Sequence, residues 1–435
     1  MHLRKSLRRM GAIPRLRDLG MNAYWLGHSF MWNSIHPILL PVMLLSYHDA
    51  SKNTAYGLLT FAGLLIALVT QPLSGALSDQ TRHALGRRRP WMGVGLLLAS
   101  GCLLTMVLSR RLWLLAASYL MLQVASNLSH GAAQGLIPDL VPVRRRGMAA
   151  GLKHLFDTLG IVAAALVAGR VMSVAAPQPA LMGGLIIATL LFTAGLTFAG
   201  AHEKSSATAP GRVATAPLCD AATQLLHLDL RGHSGYRRLL YSRFFVLLGS
   251  FTVQSFALFY FRDVLKFEAP ARMVGNVMTV IGACVLLVVY PAGVLSQLWG
   301  RKRLATAASA LAALGLGLLV LVPHGNPMAL YLVGILVGIG LGAFSSVNWA
   351  WAIDLVPPLE AGKYLGLTNV ATAGSAAVAR LMGPLIDVLN GWMPNVGYTA
   401  VFGLAAAAAL AGLFTTLRIP EGIPESAPPQ DLGPT

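Results

Sequence analysis

Charged side chains are scarce in this chain. Asp, Glu, Lys and Arg make up 11% of the 435 residues, and 55% of the residues are hydrophobic. Soluble domains carry about 25% charged residues. A chain this poor in charge cannot cover a water-facing surface, so the composition argues against a soluble protein and predicts a polytopic membrane protein. The lipid bilayer is therefore its first expected partner.

Acidic residues are the scarcer of the two charge types, with 16 Asp and Glu against 33 Lys and Arg. In a soluble protein a net charge of +17 would suggest nucleic acid. Here most basic residues fall in segments that would share one side of a membrane, as the positive-inside rule requires. We therefore expect no nucleic-acid partner, and we place those segments in the cytoplasm.

Cysteine is nearly absent. Cys102, Cys219 and Cys284 are dispersed and fit no disulfide or metal spacing. The sequence also shows no Ser/His/Asp set, phosphate loop or metal-ligand spacing. We therefore expect no enzyme activity, no cofactor and no metal site.

Long apolar runs are the dominant feature that is present. A membrane span needs about 20 apolar residues, and we predict twelve spans, numbered 1 to 12 in chain order. They cover residues 21–47, 54–77, 91–109, 112–137, 148–173, 180–201, 239–261, 274–295, 304–322, 329–355, 363–389 and 396–417.

An even number of spans puts both termini on one side, and the basic residues put that side in the cytoplasm. We expect a retained cytoplasmic head without a cleaved signal over 1–20, and a six-helix bundle over 21–201. A central cytoplasmic loop should occupy 202–238, a second bundle 239–418, and a disordered, proline-rich tail 419–435. The predicted location is the cell (inner) membrane.

A basic turn between spans 2 and 3 recurs half a chain later. The first copy reads GALSDQTRHALGRRRPWM from Gly75, and the second reads GVLSQLWGRKR from Gly293. Asp-Leu-Val-Pro also occurs twice, at Asp139 and at Asp354. Four arginines cannot enter lipid cheaply, so the first copy must be a turn outside the membrane. The repetition predicts two copies of one bundle, an architecture found in secondary transporters.

These motifs resemble those of the major facilitator superfamily over nearly the whole chain. The stretch PLSGALSD from Pro72, followed by GRRRPW from Gly86, is similar to the sucrose:proton symporter-like branch. It is less close to the glycoside–pentoside–hexuronide:cation symporters. The resemblance implies an all-α integral membrane fold with twelve transmembrane helices in two pseudo-symmetric six-helix bundles.

The resemblance also implies a gating role for the repeated turn, in which the acid of the motif holds the two halves closed on the cytoplasmic side. The alternative is that the basic turn only sets topology. Gln297 replaces the acid in the second copy, which should weaken that gate. The candidate gating residues are Gly75, Asp79, Arg82, Gly86, Arg87, Arg88, Arg89, Asp139, Gly293, Gly300, Arg301 and Asp354.

In this fold, spans 1, 4, 7 and 10 line the central cavity. Span 4 carries four polar residues at spacings of four, three and four, which places them on one helix face. In an apolar helix such a face must meet protein or water; hydrogen bonding between helices alone is the alternative. The candidate solute-binding residues are His28, Trp32, Asn33, His36, Gln123, Asn127, His130, Gln134, Gln254, Asn348 and Trp351.

Ionisable groups inside spans are candidates for ion coupling. Span 2 holds no acid, which argues against the sodium site of the glycoside–pentoside–hexuronide symporters. Relatives often carry an acid where this chain has Asn348. We predict coupling through Asp157, neutralised locally by Lys153 one turn earlier, with His130 as a second candidate and Arg380 as a third. Asp387, near the outer end of span 11, is interpreted as solvated.

Together these features predict a monomeric secondary active transporter that moves a small solute, a sugar or glycoside, with protons. One alternative is an exporter of an amphipathic drug or natural product on the same fold. A lower alternative is a membrane assembly factor that transports nothing.

Overall fold

The computed structural model describes residues 16–47, 49–142, 145–173, 177–203, 205, 234–356 and 361–420. Most of the predicted basic head, central loop and proline-rich tail, together with Cys219, therefore lies outside the described residues. Within them the regular secondary structure is helical, and the helices follow the predicted spans in order.

We number the helices α1 to α12. Helix α1 consists of Leu16–Ser34, a π-helical turn Ile35–Leu39, and Leu40–Leu45. The first half continues with α2 Lys52–Gln80, α3 Arg89–Leu108, α4 Leu112–Gln134 with Leu136–Leu140, α5 Arg146–Val171 and α6 Pro179–Gly200. The second half contains α7 Ser234–Asp263, α8 Pro270–Trp299, α9 Arg301–Leu319, α10 Pro327–Asp354, α11 Ala361–Arg380 with Met382–Trp392, and α12 Val396–Leu417.

Two prolines explain the break in α1. Pro37 and Pro41 lack the N–H that a regular helix needs, and Pro37 lies in the π-helical turn. The N–H of Leu40 reaches back five residues to the carbonyl of Ile35. The outer end of α1 therefore departs from a straight α-helix, as the two prolines predict.

Ten helices of the described chain are long and apolar enough to cross a membrane. The other two, α1 and α11, are both interrupted, as α4 is near its end. Side-chain burial agrees with a lipid-facing surface. Leu68, Leu97 and Phe192 are more than 60% exposed, whereas Tyr24 and Tyr119 are almost completely buried. Large apolar side chains on the outer surface are expected of an all-α membrane protein, because that surface faces lipid.

The described chain forms two compact units. The first combines α1 to α6 with Ser255–Thr279 and Gly383–Asn395, which are parts of α7, α8 and α11. The second contains Val280–Met382 together with the start of α7 and helix α12. Each is described by itself below, as unit 1 and unit 2. The division into bundles at 21–201 and 239–418 stays a prediction.

Glycines allow close helix packing within each unit. A Cβ added at Gly131 of α4 would lie 2.3 Å from the carbonyl oxygen of Gln71 in α2. A Cβ at Gly340 of α10 would lie 2.5 Å from the backbone nitrogen of Ala312 in α9. Such close contacts between backbones are how membrane helices gain packing energy without a hydrophobic effect between them.

We predict that Gly131→Ala lowers the melting temperature of the detergent-purified protein. The new methyl group meets backbone, which cannot rotate away, so a cost of about 1–3 kcal/mol is expected. Gly101→Ala is the matched control, because a Cβ there has nothing within 4 Å and alanine is the better helix former. Equal melting temperatures for the two variants would contradict the packing argument.

Candidate functional site

Arg88 is the centre of the turn between α2 and α3. It is only 5% exposed, and its guanidinium contacts the carboxylates of both Asp79 and Asp139. It also donates to Ser78 Oγ at 2.5 Å and to the carbonyl of Gly75 at 3.2 Å. One arginine therefore joins the end of α2 to the end of α4.

Neighbouring residues extend this cluster. Arg87 donates from Nε to Asp139 Oδ2 at 3.1 Å, and Arg89 donates to the carbonyls of Phe198 and Ala201 at the end of α6. Arg82, by contrast, is exposed and forms no ion pair in the described chain. The predicted gating residues of the first copy thus lie together, apart from Arg82.

Glu203 is a member of this cluster that the sequence analysis missed. Its carboxylate accepts from the backbone N–H of Arg88 at 3.2 Å and of Arg89 at 3.0 Å, at the N-terminus of α3. Burial raises its pKa, although the two backbone N–H groups act in the opposite direction. A signal was available, since Glu203 is an acid directly after span 6 in a chain that has few acids.

The second copy of the turn repeats these contacts in unit 2. Arg301 donates to Asp354 Oδ2 at 2.9 Å and to Ser296 Oγ at 2.5 Å. Gly300 has a φ of 91°, against 95° for Gly86, and both values are in the left-handed region that favours glycine. Ser296 donates to the carbonyl of Gly293 as Ser78 does to that of Gly75.

The first copy is longer because residues 81–88 separate α2 from α3, whereas Gly300 alone separates α8 from α9.

A chain of hydrogen bonds connects α1 to α4 in unit 1. Tyr24 Oη lies 3.3 Å from His28 Nδ1, and His28 Nε2 lies 2.7 Å from His130 Nδ1. His130 Nε2 lies 2.8 Å from Gln134 Nε2. Each imidazole has one donor and one acceptor nitrogen when neutral. The donors and acceptors of this chain can therefore run in either direction. The direction depends on whether the nitrogen or the oxygen of the Gln134 amide faces His130.

Further along the same two helices lies an aromatic and polar group. Trp32 Nε1 donates to Ser126 Oγ at 3.1 Å, and the Trp32 and His36 rings stack with centroids 4.8 Å apart. His36 Nε2 lies 2.9 Å from Tyr119 Oη, which also accepts from Gln123 Nε2 at 2.7 Å.

The remaining amides of this region bond to their own helices. Asn127 donates to the carbonyl of Gln123 and Asn33 to that of Ser29. The structure thus brings the predicted polar faces of spans 1 and 4 together. Tyr119 was missed, although it lies four residues before Gln123 and continues the same stripe.

The π-helical turn of α1 contributes a further contact. The carbonyl of His36 accepts from Tyr56 Oη of α2 at 2.9 Å, while its imidazole reaches Tyr119 of α4. Wide turns of this kind often mark functional positions in helices.

Lys153 and Asp157, for which the sequence predicts local neutralisation, each contact a residue of α1, and coupling through this pair stays a prediction. No oxygen of Asp157 lies within ion-pair distance of Lys153 in the described residues. Lys153 Nζ instead lies 3.9 Å from the centroid of the Trp25 ring, and Asp157 Oδ1 accepts from Ser29 Oγ at 2.8 Å. Each charged residue thus has a partner on α1, through a cation–π contact for Lys153 and a hydrogen bond for Asp157.

The interpretation of Asp387 as solvated is wrong. Its carboxylate accepts from the backbone N–H of Thr54 at 2.6 Å and from Asn53 Nδ2 at 2.7 Å. Asp387 therefore caps the N-terminus of α2, where a negative charge is favoured by the helix dipole.

Beside this cap lies an ion-pair network that the sequence analysis did not predict. Lys52 contacts Asp49 at 3.0 Å and Asp263 at 2.7 Å, and Arg262 donates to both oxygens of Asp49 at 2.8 and 3.0 Å. The hydrogen bonds from Arg262 lower the pKa of Asp49 to about 2. Asp49 is therefore ionised near neutral pH.

Candidate residues of unit 2 fall in different places. Asn348 is buried and accepts from Arg243 at 3.0 Å. Trp351 is 6% exposed in an apolar core with Tyr236 and Phe344, so we leave it out of the proposed site. Gln254 is exposed, and Arg380 donates to the carbonyl of Ala376 within its own helix.

The family comparison places the chain among transporters. A family model described as MFS/sugar transport protein matches residues 26–361. The riboflavin transporter RibZ of Clostridioides difficile (strain 630) is 36% identical over 109 residues, which cover 25% of this chain and 24% of that protein.

The lactose permease of Lactobacillus helveticus is 25% identical over 362 residues, which cover 78% of this chain and 54% of the permease. The chain therefore spans at most about half the length of these curated relatives. A crystal structure of a D-xylose-proton symporter superposes with a TM-score of 0.67 at 15% identity, covering 93% of this chain and 98% of that one. At this identity the likeness concerns the fold.

We predict that Arg88→Ala destabilises the protein strongly and that Arg82→Ala does not. Removing Arg88 leaves Arg87 as the remaining cation beside Asp79 and Asp139. It also deletes the hydrogen bonds to Ser78 and Gly75, and hydrogen bonds to charged groups contribute about 1.5–3 kcal/mol each. Arg82 is exposed, so its removal should stay within about 0.5 kcal/mol. Melting temperatures of the two purified variants test this prediction, and an equal loss in both would refute the central role of Arg88.

Proposed function

Because the chain belongs to the MFS/sugar transport protein family, we propose that this membrane solute transporter moves a sugar or glycoside together with protons. We further propose that it acts as a monomer in the cell membrane, with both termini in the cytoplasm. The two bundles, 21–201 and 239–418, would alternate in exposing the solute site to the two sides.

The observation that carries the sugar proposal is the Trp32–His36 stack beside Tyr119, Gln123 and Ser126. An aromatic surface can pack on the apolar face of a pyranose ring. Adjacent hydroxyl and amide groups supply the donors and acceptors that hydroxyl groups need. The similarity to a lactose permease favours the same solute class.

Proton coupling is supported by ionisable groups that face one another within unit 1. Asp157 binds Ser29, Lys153 lies over Trp25, and the His28–His130 pair lies beside them on α1 and α4. Ionisable side chains inside a membrane protein are costly and usually serve transport. Asp157 can accept and release a proton, and the histidines can pass one along their hydrogen-bond chain.

A gating role is proposed for the two turns around Arg88 and Arg301. Arg88, just before α3, binds Asp139 at the end of α4. Arg301, at the start of α9, binds Asp354 at the end of α10. The first copy has two acids, Asp79 and Asp139, and the second has Asp354 with Gln297 in the place of Asp79. We expect the first copy to be the stronger of the two.

Uptake into proteoliposomes tests the proposed function. Labelled sucrose, maltose and a panel of small glycosides would be offered under an imposed proton gradient and, separately, a sodium gradient. Uptake that follows the proton gradient and collapses with an uncoupler is the expected result. No uptake of any sugar by folded protein would reject the sugar proposal and favour export of an amphipathic compound.

We predict that Asp157→Asn abolishes uphill accumulation but spares exchange of solute. The amide keeps the size of the side chain and can still bond to Ser29, but it cannot carry the proton. Ser29→Ala is the matched control, because it removes the 2.8 Å hydrogen bond and leaves the carboxyl in place. Accumulation should survive in the control. Unchanged accumulation in Asp157→Asn would remove Asp157 from the coupling mechanism.

A further inference from the structure

Arg243 lies inside α7 and is held by neutral partners. Its Nε donates to Thr372 Oγ1 at 2.9 Å, and its Nη1 donates to Asn348 Oδ1 at 3.0 Å. Its Cζ lies 6.0 Å from the ring centroid of Trp349. These contacts, from α10 and α11, fix the plane of the guanidinium within unit 2.

The positive charge of Arg243 has no counter-ion among the described residues. No Asp or Glu oxygen of that part of the chain lies within 4 Å of its guanidinium nitrogens, whereas Arg88, Arg145 and Arg301 each contact a carboxylate. Arginine does not give up its proton in proteins. A half-buried guanidinium without an anion is unfavourable, so the site is suited to an anion from outside the protein.

Part of the guanidinium also remains available. Arginine has five N–H groups in a planar fork, and the contacts to Thr372 and Asn348 use one at Nε and one at Nη1. The Nη2 nitrogen donates no hydrogen bond among the described residues. The free N–H groups at Nη1 and Nη2 form the pair that binds carboxylate or phosphate oxygens in a bidentate manner.

The residue at position 348 determines whether the charge of Arg243 is neutralised from within the protein. An aspartate at this position would place a carboxylate about 3 Å from Nη1 and neutralise Arg243. The amide accepts one hydrogen bond and leaves the net charge in place. The cluster therefore orients a cation and preserves its charge.

We propose that Arg243 is an anion-binding residue and that the transported solute carries a carboxylate or phosphate group that binds to it. This inference rests on the proposed function, because it narrows the sugar or glycoside to an anionic one. Arg243 is the cation of the anion site, and Thr372 and Asn348 hold its guanidinium in place. The Trp349 ring borders it.

Ligand-induced stabilisation of the purified full chain tests the proposal. The probes are D-glucuronate, glucose 6-phosphate, inorganic phosphate and D-glucose. We expect the anionic sugars to raise the melting temperature in a saturable way and D-glucose to do so at least 10-fold more weakly. Stabilisation by inorganic phosphate alone at equal concentration would show an anion site that does not recognise solute, and would overturn the claim that the anion is part of the solute.

The decisive variant is Asn348→Asp, because it keeps Arg243 in place and supplies an internal counter-ion. We expect it to fold at least as well as wild type and to lose at least 10-fold in apparent affinity for the anionic sugars. Arg243→Gln should show the same loss. Thr372→Val is the control, since it removes one neutral partner and keeps the charge, and it should retain most of the binding.

Unchanged binding of anionic sugars by Asn348→Asp would overturn the proposal, as would a wild-type protein that no anion stabilises. Uptake distinguishes this inference from the proposed function. Proton-driven uptake of neutral sucrose that persists in Arg243→Gln would reject the anionic solute and leave sugar transport standing. Arg243-dependent binding of glucuronate without uptake of any sugar would leave the anion site standing and reject sugar transport.

Discussion

An ionised side chain in an apolar protein needs an opposite charge or water, and this requirement organises the structure. The described arginines near the helix ends illustrate it. Arg88 binds Asp79 and Asp139, Arg301 binds Asp354, and Arg262 binds Asp49. A chain with so few acids therefore uses them where helix ends meet. Arg243 and Arg380 lie within helices and contact no carboxylate among the described residues, and the neutral partners of Arg243 are the basis of the proposed anion site.

The internal repeat explains why the same contacts appear twice. In both halves a glycine with positive φ turns the chain, a serine bonds back to a glycine carbonyl, and an arginine reaches the carboxylate of an Asp-Leu-Val-Pro segment. The copies differ in the length of the turn and in the replacement of Asp79 by Gln297. The two repeats thus share one backbone plan but differ in the acidic residues that bind their arginines.

Sequence patterns predicted the helices, the repeat and the polar faces of α1 and α4, because these depend on hydropathy and on spacing along one helix. Contacts between distant segments were not predictable. Nothing in the spacing of Lys153 and Asp157 shows that Lys153 will contact Trp25 or that Asp157 will bind Ser29. Likewise, no local pattern links Asp387 to Thr54, more than 300 positions away. Pairings of this kind depend on which helices become neighbours, and that information is not local.

The π-helical turn in α1 has a mechanical consequence. Its widened backbone presents the carbonyl of His36 to Tyr56, while the imidazole of the same residue reaches Tyr119 and stacks on Trp32. His36 thus connects α2 to the proposed sugar surface. The cap by Asp387 and the ion pairs of Lys52 hold the start of α2, one turn before Tyr56. A shift of the start of α2 would therefore act through Tyr56 on His36, whose ring belongs to the proposed sugar surface.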